Sequence, residues 1–377
     1  MNMRLRVPVV LSIMLLWACY KEPKYVTPVL PPADVGQPPA DSGNYDFSVV
    51  QAPLDASMVL TSGFTLRYNS VMQSFSLCGD GYLYGIQVGN GSNKYLLNVT
   101  RRPVGSDSGK QYLQLPFAGH GGSMEHERVA GRDYIWVGSY GTWNGSKYTN
   151  SQTIARIPFE SGAKLSPEQC GEHYWVPGLR NVCPALDLDS DRLLVWGLAN
   201  GESSTGYFKV YSLSDAKALP LTSITLEREI VYGGDEGSGI PETRKKPSVA
   251  VRNLGSLTPV ASIRLNGGVT GTGANQGVEL CGDRILFLSG SGNDENPALP
   301  SSSNLTVLDF KGNVVGRYNV GAVSDKAALA SAGITDTGFM EAEGVKVYDG
   351  VLYLGYATKH SADAKRMVTI FQYNLEQ

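Results

Sequence analysis

The chain of 377 residues carries 32 Lys+Arg against 35 Asp+Glu, a formal net charge of −3, which excludes the strong basic field of a nucleic-acid-binding surface. Hydrophobic residues make up 42% and charged ones 18%, enough to bury a large core and too apolar for a disordered polymer. With 44 Gly and 20 Tyr, the chain favours strands and tight turns, and an all-helical enzyme is excluded.

Residues 1–18 place Arg4 and Arg6 before the apolar run Val7 to Trp17, the charged and apolar parts of a secretory signal peptide. That run is too short to remain as a membrane span. The following Leu16-Trp17-Ala18-Cys19 resembles the lipobox of bacterial lipoproteins, which implies cleavage before Cys19 and lipidation of its thiol; the plain alternative is an unmodified cysteine near a cleavage site. Tyr20 rather than Asp follows the cysteine, which permits sorting to the outer membrane in either leaflet. Residues 19–44 hold Pro23, Pro28, Pro31, Pro32, Pro38 and Pro39 among small polar residues and form an extended tether. The expected product is extracytoplasmic and lipid-anchored, with one folded domain over residues 45–377 that does not span the membrane.

Cys78, Cys170, Cys183 and Cys281 show no CxxC pair and no zinc spacing. Cys170 and Cys183 either close a disulfide or stay, like the other two, as buried apolar thiols.

One segment recurs along the rest of the chain: a short alternating strand, a Gly/Asp turn, then an apolar or aromatic strand ending in Gly. The copies start near Gln73, Gly122, Pro184, Gln276 and Glu343. Each is followed by a third alternating strand (Lys94 to Val99, Thr153 to Pro158, Phe208 to Leu213, Leu305 to Phe310, Val368 to Tyr373), and some by a fourth. Four antiparallel strands repeated in this way make an all-β propeller. The steps between copies are about 50 to 65 residues, close to the usual blade, apart from one of about 90. That long step holds an insertion or a sixth blade; residues 230–266 contain strand-like pieces but no inner hairpin, so five blades are expected and six are the runner-up. Tyr45 to Val50, or a neighbouring stretch, is expected to close the ring beside the last strand.

The segments His120-Gly121-Gly122-Ser123-Met124-Glu125, Asn275-Gln276-Gly277-Val278-Glu279 and Glu341-Ala342-Glu343-Gly344-Val345, the last followed by Leu352-Tyr353-Leu354-Gly355-Tyr356, resemble the five-bladed propeller domain shared by phage receptor-binding proteins and teichoic acid biosynthesis protein C-like proteins. The resemblance covers about Tyr45 to Gln377 and implies recognition of a receptor or an envelope polymer. The lipoprotein leader in place of a phage stem departs from that family, so the resemblance does not carry a teichoic acid ligand over to this chain.

Loops leading into the inner strands of a propeller converge on one face. On that topology Gln73, His120, Asn181, Asn275, Gln276, Glu341 and Glu343 surround one channel mouth. These amides, acids and a His are suited to a hydroxyl-rich or cationic ligand; alternatively they only satisfy backbone ends and channel water. Trp143 or Tyr356 is a candidate to stack on a sugar. His120, Glu125, His126 and Glu127 are dense in ligand-type side chains, but strand alternation turns His126 away from Glu125 and Glu127, so no metal or other cofactor is expected there. A glycoside hydrolase would need two carboxylates at a set separation; Asp187, Glu279, Glu341 and Glu343 are available, with Asp187 and Glu279 at equivalent mid-strand positions and only Glu341 and Glu343 reaching the mouth. Gly267 to Gly277 lacks the Lys-Ser/Thr of a phosphate loop, and Arg244-Lys245-Lys246 reads as a solvated basic run. The expected function is binding of a surface glycan or polyhydroxylated polymer, with a propeller glycoside hydrolase and a scaffold docking an envelope protein as the other classes.

Overall fold

The computed structural model describes residues 45–79, 81–143, 148–202, 205–232, 239, 241–266, 275–293, 299–360 and 365–375; the expected signal peptide, Cys19 and the tether lie outside the described residues. No described helix is long and apolar enough to cross a membrane.

Five antiparallel sheets, each with a four-stranded core, form the blades of a propeller. Blade I runs Met72–Cys78, Tyr82–Val88, Leu96–Pro103 and Gln111–Pro116 from the axis outward, and blade IV runs Asn275–Cys281, Arg284–Ser291, Ser302–Asp309 and Val314–Asn319. Blade III comprises Leu179–Asp187, Arg192–Ala199, Thr205–Ser212 and Ala261–Asn266. The five inner strands touch their neighbours in a closed ring. Their hairpins rest on turn chemistry: Tyr348 pairs with Val351 across Asp349-Gly350, both at positive φ (51° and 71°), a backbone whose twist matches that of the flanking strands.

Blade V consists of Phe339–Tyr348, Val351–Lys359 and Met367–Asn374, completed by the early strand Val59–Phe64. The ring is thus closed by a neighbour of the expected Tyr45 to Val50 stretch. Phe47–Gln51 instead forms a 3-10 turn, because Asp46 accepts a hydrogen bond from the backbone N–H of Ser48 at 2.8 Å; it buries Phe47 and Val50 in the apolar cluster between blades IV and V.

The long step is an insertion. After the third strand of blade III the chain forms the short helix Leu213–Ala218, then lays Leu221–Thr225 and Ser248–Asn253 outside Glu172–Trp175. Blade II, whose inner strands are Met124–Val129, Arg132–Ser139 and Thr153–Pro158, thereby becomes a six-stranded sheet before Ala261–Asn266 returns to complete blade III. Ser248–Asn253 runs parallel to Glu172–Trp175, an unusual pairing inside a blade that marks it as added from outside.

Each blade-to-blade junction is filled by its own apolar wedge. Tyr84, Ile86 and Leu113 meet Met124, Ile135 and Ile157 between blades I and II, and Phe208 meets Phe287 between III and IV. Side chains of a strand alternate between the two faces of its sheet, so each inner strand feeds both flanking wedges. Close approach also accounts for a glycine within a second strand: a Cβ on Gly355, inside Val351–Lys359, would lie 2.5 Å from the Phe75 ring of blade I. The expected alternative of a Cys170–Cys183 disulfide is not formed; Cys170 lies in the I–II wedge and Cys183 in the III–IV wedge. Burial pushes both thiols up to about 12.

Candidate functional site

The beginnings of the inner strands are irregular in a repeated way. Pairing with the second strand shifts register between Met72 and Ser74, between Arg180 and Cys183, between Asn275 and Gly277, and between Ala342 and Gly344. The residues inside these shifts are Gln73, Asn181 with Val182, Gln276 and Glu343. A bulge leaves one residue outside the ladder and re-aims its side chain. In blade II the corresponding stretch is the connector His120-Gly121-Gly122, in which Gly121 has φ 80°. Four of the seven expected mouth residues thus lie at irregularities of four different blades, at the same end of each inner strand.

Gln73, His120, Asn181, Asn275, Gln276 and Glu341 are half-buried, whereas Glu343 is buried. Asn275 spends its side-chain carbonyl on the backbone N–H of Gly277 at 3.0 Å, which holds the bulge. Asn181, at φ 53°, accepts from the Thr149 hydroxyl at 3.5 Å. The side-chain amides of Gln73 and Gln276 carry no hydrogen bond to another described residue, which leaves their donors and acceptors for water or a ligand.

Deeper along the axis, three inner strands send charged side chains to one point. Lys346 of blade V donates from Nζ to Glu279 of blade IV at 3.0 Å and to Glu125 of blade II. All three are nearly inaccessible, at 4%, 2% and 4% exposure for Lys346, Glu279 and Glu125. Burial holds Glu125 well above the usual carboxylate range, with Glu279 adding to the rise. Burial likewise pushes Glu279 up to about 7 against the pull of Lys346. Burial alone would lower Lys346, but the two carboxylates outweigh it and raise it. The three side chains form a buried ionic cluster beneath the mouth, with Lys346 bridging the two carboxylates. Both carboxylates are bonded to the ammonium and shielded from solvent.

Several expectations need correction. Asp187 and Glu279 are not equivalent: Asp187 pairs with Arg192 at the hairpin end, where Cys281 stands in blade IV, while Glu279 lies two residues earlier, opposite Leu286. Asp187 accepts from the backbone N–H groups of Ser190 and Gly282, each at 3.0 Å, and ties two hairpins together. Tyr356 is fully buried against Phe371, its hydroxyl 3.0 Å from Ser303 Oγ, and cannot stack on a ligand at the mouth. The side chain of Trp143 lies outside the described residues. Alternation does separate His126 from Glu125 and Glu127: Glu127 accepts from Trp136 at 3.0 Å, Arg156 at 2.7 Å and Lys217, whereas His126 stacks on Tyr84 of blade I.

Sequence reasoning also passed over two features. Lys346 was visible as a lone cation between Val345 and Val347 in an inner strand. Arg244 and Lys246, exposed as expected of a solvated basic run, also line an open cleft of about 510 Å³ with Asn150, Glu227, Arg228 and Glu229. The insertion is pinned there by reciprocal bonds between the Gln152 amide and the Arg228 backbone, 2.8 and 3.1 Å. The loop carrying Asn150 joins the second and third strands of blade II and so lies on the mouth face.

No protein-family model and no curated protein matches the chain. Among solved structures it is similar to the tail fibre of a Staphylococcus aureus phage, with a TM-score of 0.53 and 14% identity over 85% of this chain and 54% of that one. The chain thus spans about half the length of the tail fibre, and the likeness shows a shared propeller fold. An exo-β-1,3-galactanase from Phanerochaete chrysosporium gives a TM-score of 0.41 at 8% identity, covering 85% of this chain and 64% of the enzyme. An α-L-arabinofuranosidase from Lactobacillus brevis gives 0.39 at 8% identity, covering 85% and 92%.

Proposed function

We propose that this chain is a lipid-anchored extracytoplasmic protein whose propeller binds a surface glycan or another polyhydroxylated polymer at the channel mouth. The observation that carries the reading is the set of bulges that puts Gln73, Asn181, Gln276 and Glu343 at one end of four inner strands. Amides both donate and accept, as sugar hydroxyls do, and a polymer crossing the mouth would meet several of them at once. The cleft beside blade II extends the polar surface such a polymer would cross. Lys346 bonds both axial carboxylates, Glu125 and Glu279, and all three are buried, which supports a receptor over a hydrolase.

Binding to a glycan array, with reducing-end release followed in parallel, tests this. A panel member should bind without turnover. Gln276→Ala or Glu343→Ala should weaken it by about five- to a hundredfold, the equivalent of a lost buried hydrogen bond of roughly 1 to 3 kcal/mol, with the fold intact by circular dichroism. Turnover abolished by Glu343→Gln would replace the reading with a hydrolase, and neither binding nor turnover would leave a protein-docking scaffold. Anchoring is tested separately by fatty-acid labelling: label that persists in Cys19→Ala removes the lipoprotein part of the proposal.

A further inference from the structure

On the hairpin face, opposite the mouth, the junction of blades I and II brings together Cys78, His126 and Asp133. Their ligand-type atoms all lie within 4.8 Å of one another. His126 Nε2 is 3.0 Å from Asp133 Oδ1. The side chains of His126 and Asp133 are 6% and 13% exposed, so the cluster is enclosed yet reachable from outside. Tyr84 stands against it, with its ring stacked on that of His126 at a centroid distance of 4.9 Å.

We propose that Cys78, His126 and Asp133 bind a divalent transition ion of the zinc type, clamping blade I to blade II. One thiolate, one imidazole and one carboxylate are a familiar donor set for Zn²⁺, with a water in the fourth position of the tetrahedron. Binding displaces the thiol proton, and thiolate and carboxylate together neutralise the ion. Arg101 lies 3.6 Å from Asp133 Oδ2 and Arg128 3.8 Å from Oδ1. Arg101 therefore grips the carboxylate oxygen that the bond to His126 leaves over, and fixes the carboxylate from behind as outer partners of metal ligands do. The thiolate and imidazole donors favour a zinc-type ion over Ca²⁺ or Mg²⁺, which take oxygen ligands. The site is separate from the mouth and independent of the ligand proposed there.

The test is titration of the full chain with Co²⁺ under reducing conditions. One equivalent should give tetrahedral d–d bands and a sulfur-to-cobalt charge-transfer band, both displaced by Zn²⁺ and not by Mg²⁺. Cys78→Ser should abolish the charge-transfer band. His126→Gln should weaken binding by more than the roughly 10- to 100-fold typical of losing an outer partner. Cys19→Ala should leave both spectra unchanged. Should Cys78→Ser fail to fold, the second readout is the rise in melting temperature on adding Zn²⁺, expected for the unsubstituted chain and absent in His126→Gln. Absence of a saturable cobalt spectrum, or a charge-transfer band that survives in folded Cys78→Ser, overturns the proposal.

Discussion

Replacing Lys346 by Met tests how the axis of the propeller is held. The substitution keeps the volume of the aliphatic stem but leaves Glu125 and Glu279 facing each other, buried and without their cation. Removing one partner from a buried ionic cluster costs about 3–5 kcal/mol. The loss should depend on pH in a defined sense. In the parent protein Glu279 is raised from 4.5 to about 7, so the folded state binds its proton more tightly than the unfolded chain. That contribution is complete below about 4.5 and disappears as pH rises through about 7, on the order of 3 kcal/mol across the window. Without the ammonium, which lowers both carboxylates, the window moves upward and widens. Urea denaturation at pH 5.5 and pH 8 should therefore find Lys346→Met most destabilised at pH 8 and partly recovered at pH 5.5. Adding Glu125→Gln and Glu279→Gln should restore most of the loss at pH 8. Equal destabilisation at both pH values, or no recovery in the triple variant, would refute the buried-cluster account.

Gly355→Ala should destabilise the ring by about 1–3 kcal/mol, since the new methyl meets the Phe75 ring at 2.5 Å; in a double-mutant cycle Phe75→Leu should cost less in that background than alone. Glu127→Gln should cost about 3 kcal/mol at neutral pH, because Arg156 and Lys217 lose a buried anion. Burial raises Glu127, but the bonds from Lys217, Arg156 and Trp136 outweigh it and lower it. The stability gap between parent and variant should therefore be full above the ordinary value of 4.5 and close as pH falls below it, measured by thermal melts across pH 3 to 7. Removing the chain through residue 64 should leave Met367–Asn374 as an open edge, read out as aggregation by light scattering and loss of a single cooperative melt.

The blades were legible because each inner hairpin repeats the same alternation and turn, a local signal that survives divergence. Val59–Phe64 was harder to read, since Thr61, Ser62 and Gly63 interrupt its apolar pattern and the strand exists only because Met367–Asn374 offers an edge. The two strands added to blade II are likewise defined by a distant partner, so composition showed strand-like pieces without their destination. At the site, topology located the ends of the inner strands, and the bulges there follow the amide and acid positions already singled out. The Glu125–Lys346 contact joins residues 221 apart, and nothing in either local segment announces the other. Tyr356 failed as a surface aromatic because the strand register turns it into the IV–V wedge.

The clasp between Val59–Phe64 and Met367–Asn374 has a kinetic side. Its ends are drawn together by contacts such as the Gln372 amide bonding the Ser57 carbonyl across 315 residues, a loop whose closure must be met late and all at once. As the chain is synthesised, the first strand emerges long before its partner, so blades I to IV can collapse only into an open arc with one strand waiting at each lip. Closing the circle therefore waits until the last hairpin has been made. A chaperone that shields the early strand until the final hairpin is made would act on the step that commits the whole ring.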